Sequence, residues 1–227
     1  MKLNNNIDWF TRGIAILGLI VSIVAISLPY IQAHYDSEEL LSIEILPEQG
    51  NGIIRLSNDI NKSRAVQIPY IITLSNIGKV KLSITSYNIQ KRAENESIEY
   101  FNGLNGGLYS INYKPFSLPK NIDAGESITF RVYLGFLPTD EILNYLHQKY
   151  KLNGTLKVSD ILLSLAKKGL TIYGGKATYK EFKGGGFHIE IGSEFYKFNP
   201  IYNIQFKTGR KNNFIALASE FISQIKR

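Results

Sequence analysis

The chain has 227 residues, no cysteine and a formal net charge of +7, from 26 Lys and Arg against 19 Asp and Glu. The absence of cysteine excludes disulfides, thiolate metal sites, iron–sulfur clusters and thiol nucleophiles. The charge is uneven: residues 151–227 hold 13 basic and 5 acidic side chains, a net of +8, whereas residues 34–150 hold 11 and 13, a net of −2.

An uncharged apolar stretch runs from Gly13 to Ala33 and is 21 residues long (33 − 13 + 1). As a helix it would be about 30 Å long, which matches the hydrocarbon core of a bilayer. A cleaved signal peptide ending at Ala33 is the alternative, but the apolar run exceeds the usual length of about 7–15 residues. The predicted organisation is an N-terminus over 1–12, a transmembrane helix over 13–33, a linker over 34–40 and one large domain over 41–227.

The flanking charges predict the orientation of this helix. Lys2 and Arg12 precede it, whereas the far side has no Lys or Arg for 21 residues, from 34 to 54. An excess of Lys and Arg marks the cytoplasmic flank. We therefore expect a cytoplasmic N-terminus, a single pass through the cell membrane and an extracytoplasmic domain.

Two small residues in the helix, Gly18 and Ser22, are four positions apart and would share one helix face. Such pairs let two membrane helices approach closely, so they are a candidate helix–helix contact and predict a homo-oligomer. Small residues are also common in membrane helices without this role.

Short segments of alternating polarity follow the helix. The run from Leu41 to Leu46 has a period of two and ends at Pro47, which is typical of a half-buried strand. Two longer runs, 65–74 and 79–90, flank an Asn-x-Gly turn, and the pattern predicts that they form a hairpin. Further strands are predicted at 52–56, 97–101, 108–113 and 127–136.

Two of these runs carry a resemblance to a known family. They read VQIPYIITLSNIGKVKLSITSYNI and IDAGESITFRVYL, and the matching turn positions are Asn76, Gly78, Gly125 and Glu126. The pattern resembles the central strands of Ig-like β-sandwich domains, in particular the adhesion-type, CARDB-like repeats of prokaryotic envelope proteins. The resemblance covers about residues 41–136. It implies a binding or assembly module and assigns no catalytic residue.

Helical signals interrupt the strands. Thr139, followed by two acids, predicts a helix start, Ser159 predicts a second one, and together they indicate a helical pair over 139–168. Strands are then predicted at 170–173, 176–182, 187–191, 194–198 and 201–207, and a terminal helix at 213–226. The predicted fold class is mainly β: one N-terminal transmembrane helix, an Ig-like antiparallel β-sandwich with the helical-pair insertion, and a C-terminal helix.

The basic part of the chain contains a candidate ligand surface in which aromatic residues alternate with cations. Aromatic rings beside cations can bind a sugar or an anionic polymer. A partner that is a protein or an anionic envelope polymer is therefore expected, besides the lipid bilayer, and nucleic acid is not, because the domain is predicted outside the cytoplasm. A solvated surface with scattered lysines is the alternative. The candidate residues are Lys176, Lys180, Lys183, His188, Glu190 and Lys197.

No motif predicts a catalytic residue, a metal site or a cofactor. The three histidines lack metal-ligand spacing, and the segment from Gly169 to Lys176 resembles a phosphate-binding loop but has Gly175 where the lysine belongs. The first hypothesis is a non-catalytic binding or assembly subunit at the cell envelope. The second is an envelope-polymer hydrolase that uses His188 and Glu190. A third follows from an outline resemblance to bacterial antiviral effectors, in which a cytoplasmic β-rich sensor for a nucleotide signal is joined to membrane helices.

Overall fold

The computed structural model describes residues 5–48, 50–56, 63–93, 97–153, 155–192 and 199–219. These ranges contain three helices, α1 Asn5–Asp36, α2 Asp140–Asn153 and α3 Val158–Ala166. The strands are β1 Leu41–Pro47, β2 Ile53–Leu56, β3 Val66–Asn76, β4 Leu82–Arg92, β5 Ile98–Glu99, β6 Asn105–Tyr109, β7 Lys120–Ile122, β8 Ser127–Phe136, β9 Leu156–Lys157, β10 Ala177–Glu181, β11 Phe187–Ile191, β12 Ile201–Thr208 and β13 Asn213–Ala218. The fold is mainly β with an apolar N-terminal helix, as the sequence predicts.

Helix α1 is long and apolar enough to cross a membrane. The qualifying stretch, Arg12–Ala33, has 22 residues and a mean hydropathy of 2.5, and none of it is buried in the protein. A signal sequence near an N-terminus meets the same criteria. The helix nevertheless continues past Ala33 to Asp36 without a break.

The strands form two larger sheets and one separate hairpin, and every pair is antiparallel. The first sheet has the order β6-β8-β3-β2-β9, with β1 also paired to β3. The second has the order β13-β12-β4-β5, with β7 also paired to β4. The hairpin consists of β10 and β11.

A common hydrophobic core joins the two larger sheets. Tyr70 in the first sheet packs edge-on against Tyr202 in the second, with ring centroids 6.3 Å apart, and Phe130 packs similarly on Phe206 at 6.2 Å. Less than 2% of each of these four side chains is exposed. Because each fully buried aromatic side chain contributes about 1.5–3 kcal/mol, these contacts hold the sheets together.

The predicted hairpin between the two long strands is wrong. β3 pairs with β1, β2 and β8 in the first sheet, whereas β4 pairs with β12, β5 and β7 in the second. The reason is the side chain of Asn76, whose amide donates to the carbonyls of Val80 at 2.8 Å and Ile122 at 3.0 Å. These bonds fix a turn that carries the chain from one sheet to the other.

The helical insertion is confirmed. Helix α2 buries Ile142, Leu143 and Leu146 on one face, as its apolar spacing predicts. Helix α3 begins at Val158, however, and its N-cap is Lys157, so the predicted cap at Ser159 is wrong by two residues. Strand β9, between the two helices, pairs with β2 and fixes the insertion to the first sheet.

The predicted C-terminal helix is wrong over the part that the structure describes. Residues from Asn213 to Ala218 form β13, paired along its length with β12. Without this strand, one edge of β12 would expose its backbone N–H and C=O groups, and pairing satisfies them. Residues 220–226 of the predicted helix lie outside the described residues.

The predicted strand at 170–173 is wrong. Leu170 makes a single bridge to Lys176, and the segment 170–173 is not a strand. Strand β10 pairs with β11, and the turn between them contains Gly185 and Gly186, which adopt φ values of +76° and +122°. The predicted strand at 194–198 lies outside the described residues.

Candidate functional site

The β10–β11 hairpin brings three of the predicted ligand residues onto one face. Lys180 lies directly opposite His188, and Thr178 opposite Glu190. Opposite residues of an antiparallel pair share a face, as do residues two apart in one strand. The side chains of Lys180, His188 and Glu190 therefore project from the same exposed surface.

The other predicted ligand residues are more scattered. Lys176 precedes β10, where its carbonyl accepts a hydrogen bond from the N–H of Gly192 at 3.1 Å. Lys183 lies in the hairpin turn, and both lysines are exposed. Lys197 lies outside the described residues.

The opposite face of the hairpin is aromatic. Tyr179 and Phe187 stack with their ring centroids 5.9 Å apart, and 53% of Phe187 is exposed. The ammonium of Lys167 lies 5.0 Å from the centroid of Tyr179. Sequence reasoning missed Lys167, because it follows α3, and only the fold places it over the hairpin.

This surface offers groups that can bind a ligand. A ligand here would meet ammonium groups on one face and an exposed ring beside an ammonium on the other. His188 and Glu190 lie on an exposed strand, whereas three cavities of about 290, 340 and 470 Å³ are lined by other residues. Within the described ranges, no group of three or more His, Cys, Asp or Glu could hold a metal ion.

The end of α1 is attached to the β domain through side chains. Asp36 pairs with Lys79 at 2.6 Å, and the Ser37 carbonyl accepts a hydrogen bond from Arg210 at 2.6 Å. The backbone N–H of Ile77 donates to the carbonyl of Leu40 at 3.0 Å. Residues 36–40 therefore lie against two turns, the one that connects β3 to β4 across the sheets and the one between β12 and β13.

Glu39 is the centre of this junction. Its side chain is 2% exposed, and one carboxylate oxygen accepts hydrogen bonds from Thr208 at 2.5 Å and Asn212 at 2.9 Å. Arg210 lies 3.9 Å from its other oxygen. A buried carboxylate with these donors is well compensated, so the junction is specific in its geometry.

The candidate helix–helix contact lies on the exposed part of α1. The hydroxyl of Ser22 donates to the carbonyl of Gly18 at 2.7 Å, one turn earlier. A Cβ atom placed on Gly18 would meet nothing within 4 Å. A second helix would find a small, open surface here, and the homo-oligomer stays a prediction.

A second polar cluster lies on the face of the first sheet that is turned away from the core. Arg131 makes a bidentate pair with Glu48, at 2.5 and 2.6 Å, and its guanidinium lies 3.7 Å from the ring centroid of Tyr113. The hydrogen bonds that Arg131 donates to Glu48 raise the pKa of Arg131, and burial raises the pKa of Tyr133, two residues further along β8. No sequence motif indicates this cluster, because its members come from separate strands and loops.

No protein-family model matches this chain, and no curated protein matches it significantly. A functional assignment therefore depends on the contacts described above.

Proposed function

We propose that the protein is a single-pass, membrane-anchored, non-catalytic binding or assembly subunit that presents an Ig-like β-sandwich at the cell envelope. The observation that carries the proposal is the continuous path from the exposed apolar helix into the junction at Glu39. A helix with no buried part needs an apolar environment, and a bilayer supplies one. The fixed junction then holds the domain directly at the membrane surface.

The strand connections support an Ig-like sandwich. The chain crosses from the first sheet to the second between β3 and β4, and aromatic side chains fill the space between the sheets. Crossing between two packed sheets is a feature of Ig-like domains. The four turn positions of the resemblance also meet at Asn76. Its N–H donates to the Glu126 carbonyl and its carbonyl accepts from the Gly125 N–H, each at 2.9 Å, and its side-chain oxygen accepts from the Gly78 N–H at 3.1 Å.

The orientation follows from the charges beside the helix, with the N-terminus in the cytoplasm and the domain outside. In the folded protein Lys79 and Arg210 also lie at the end of α1. These two cations do not change the expected orientation of α1, because insertion depends on charges close to the helix in sequence. Long domains are exported largely regardless of their charge.

The ligand surface of this subunit is the β10–β11 hairpin, and the partner we propose is an anionic envelope polymer. Lys176, Lys180 and Lys183 supply positive charge, and Phe187 supplies an exposed ring on which a sugar can stack. The +8 net charge of residues 151–227 favours a polyanion over a neutral ligand.

The topology is tested with reporters fused after Arg227: a phosphatase that is active only outside the cytoplasm and a fluorescent protein that folds only inside. We expect phosphatase activity and no fluorescence. The matched control replaces Lys2 and Arg12 with Asn and Ser37 and Glu38 with Lys, which reverses the flanking charges and should reduce the phosphatase signal. Cytoplasmic fluorescence of the unaltered chain would contradict the proposal and favour a cytoplasmic nucleotide sensor.

The non-catalytic role is tested by replacing His188 and Glu190 with Ala. We expect the folded, exported variant to bind the polymer as the unaltered protein does. We expect neither protein to cleave the polymer. If the unaltered protein cleaves an envelope polymer and the double variant does not, the protein is the hydrolase of the second hypothesis.

A further inference from the structure

Arg55 in β2 occupies a corner between two tyrosine rings. Its guanidinium carbon lies 3.9 Å from the ring centroid of Tyr109 and 3.8 Å from that of Tyr133. The two rings are nearly perpendicular, with an interplanar angle of 89°. The rings come from β6 and β8, so three strands of the first sheet build the corner, and the guanidinium is held in one place.

Within the described part of the chain, the hydrogen-bond donors of Arg55 have no acceptor. A guanidinium has five N–H donors and no acceptor. Among the residues that the structure describes, none places an acceptor within hydrogen-bond distance of Arg55, and the hydroxyl of Tyr133 is buried without a partner. Arg55 is half-buried, so water compensates its charge less well than at a fully exposed position.

The neighbouring Arg131 shows what fills such a site in this protein. It also stacks on a tyrosine, Tyr113, and the carboxylate of Glu48 occupies its N–H fork with two hydrogen bonds. Two backbone carbonyls, of Ser110 and Ile111, each accept a hydrogen bond from its Nη1 at 3.1 Å. Arg55 is stacked on tyrosine rings, as Arg131 is, but no carboxylate of the described residues pairs with it.

We propose that Arg55 binds the carboxylate of an acidic ligand, as Arg131 binds Glu48. The carboxylate pairs with the guanidinium fork, and the rings of Tyr109 and Tyr133 hold that fork in position, so that little side-chain entropy is lost on binding. This site is independent of the proposed function, since it requires neither the hairpin lysines nor a particular side of the membrane. One carboxylate is sufficient to fill it.

The site is tested on the full chain in detergent micelles, with ¹⁵N-labelled arginine and succinate as the probe. The side-chain Nε–Hε signal of Arg55 is identified by its absence in R55K, which keeps the charge but loses the fork. We expect succinate to shift this signal to saturation and to leave the signal of Arg131 in place, because its fork is already filled. In Y109L, which removes one wall of the corner, we expect the half-saturating concentration of succinate to rise at least threefold.

Titrations with inorganic phosphate and with chloride, at matched ionic strength, test whether the site prefers a carboxylate to other anions. The signal of exposed Arg64 is the internal control for non-specific binding of anions to arginine. We expect chloride to produce no saturable shift and phosphate to half-saturate at a higher concentration than succinate. The proposal is overturned if the Arg55 signal does not saturate with succinate, or if the Arg64 signal shifts over the same concentration range. Tighter binding of phosphate than of succinate would overturn the assignment of a carboxylate. None of these results depends on polymer binding by the hairpin, so the two proposals can fail separately.

Discussion

The hydroxyl of Thr208 donates a hydrogen bond of 2.5 Å to the carboxylate of Glu39, although 169 positions separate the two residues in the chain. Glu39 follows helix α1 by three residues, and Thr208 ends β12 in the second sheet. The bond therefore joins the segment that follows α1 to the second sheet, and it helps to fix the position of that segment on the domain.

Replacing Glu39 with Ala should loosen this junction. The hydroxyl of Thr208 and the amide of Asn212 would lose their acceptor, at a cost of about 1–3 kcal/mol. Because the chain has no cysteine, spin labels can be attached at Gln32→Cys and Lys120→Cys without further changes. We expect a narrow distribution of label distances in the parent protein and a broad one in E39A, measured by pulsed electron paramagnetic resonance.

The control for this experiment is Glu44→Ala, which removes an exposed acid from β1, five residues further along the chain. It should leave both the distance distribution and the unfolding midpoint unchanged. Equal broadening in both variants, or none in E39A, would show that Glu39 does not fix the helix.

Removing the hydroxyl group from either of two buried tyrosines should change the stability of the protein in different ways. The hydroxyl of Tyr202 donates to the carbonyl of Gly135 at 2.9 Å, whereas that of Tyr133 has no partner among the described residues. Tyr202→Phe should therefore lose about 1 kcal/mol of stability, and Tyr133→Phe should be neutral or gain about 1 kcal/mol. Urea unfolding at pH 7 measures both, and a loss in Y133F as large as that in Y202F would contradict the prediction.

Tyr133 also predicts how stability changes at high pH. Burial raises its pKa in the folded state, and the opposing effect of Arg55 and Arg131 is smaller. Above the ordinary tyrosine pKa of about 10, the unfolded chain releases this proton before the folded protein does, so stability falls as the pH rises further. The loss between pH 9 and pH 11 should be smaller in Y133F than in the parent protein.

The elements that the sequence predicts correctly depend on local signals. Helix α2 has acids in its first turn and buries one face at helical spacing, and both features lie within one stretch of chain. The long strand β3 lies in a mostly apolar run, and the sequence of β8 places Ile128, Phe130, Val132 and Leu134 at every second position. These patterns identify the elements without knowledge of their neighbours.

The wrong predictions concern pairing between distant segments. An Asn-x-Gly turn predicts a hairpin, but Asn76 donates to Ile122, 46 positions away, and this contact directs β4 into the other sheet. Phe214 and Leu217 have helical spacing, but β12 offers a complete edge for pairing, and the segment becomes β13. Local propensity is a weak prior that such tertiary contacts override.

The candidate sites also differ in whether their residues are close together or far apart in the sequence. The shared face of His188 and Glu190 is predictable, because they lie two residues apart in one strand, whereas Lys180 joins that face only through the pairing of β10 with β11. The corner around Arg55 is not predictable, because its rings come from β6 and β8, and the junction at Glu39 is not, because Thr208 is remote in sequence. Sites assembled from distant strands leave no motif in the sequence.

Polyanion binding by the hairpin gives the last prediction. The variants K180E/K183E, on the hairpin, and K114E/K120E, at exposed positions outside residues 151–227, each lower the formal net charge from +7 to +3 (7 − 2 × 2). A non-specific attraction depends on net charge and would weaken equally in both, whereas a local site would weaken only in the first. On a heparin column, with the full chain in detergent, we expect K180E/K183E to elute at a clearly lower salt concentration than the parent protein and K114E/K120E to elute close to it. Phe187→Ala keeps the charge and removes the exposed ring, so it should also elute earlier if sugars stack there. Equal shifts in the two lysine variants would show that charge alone attracts the polymer, and the hairpin would lose its role as the ligand surface.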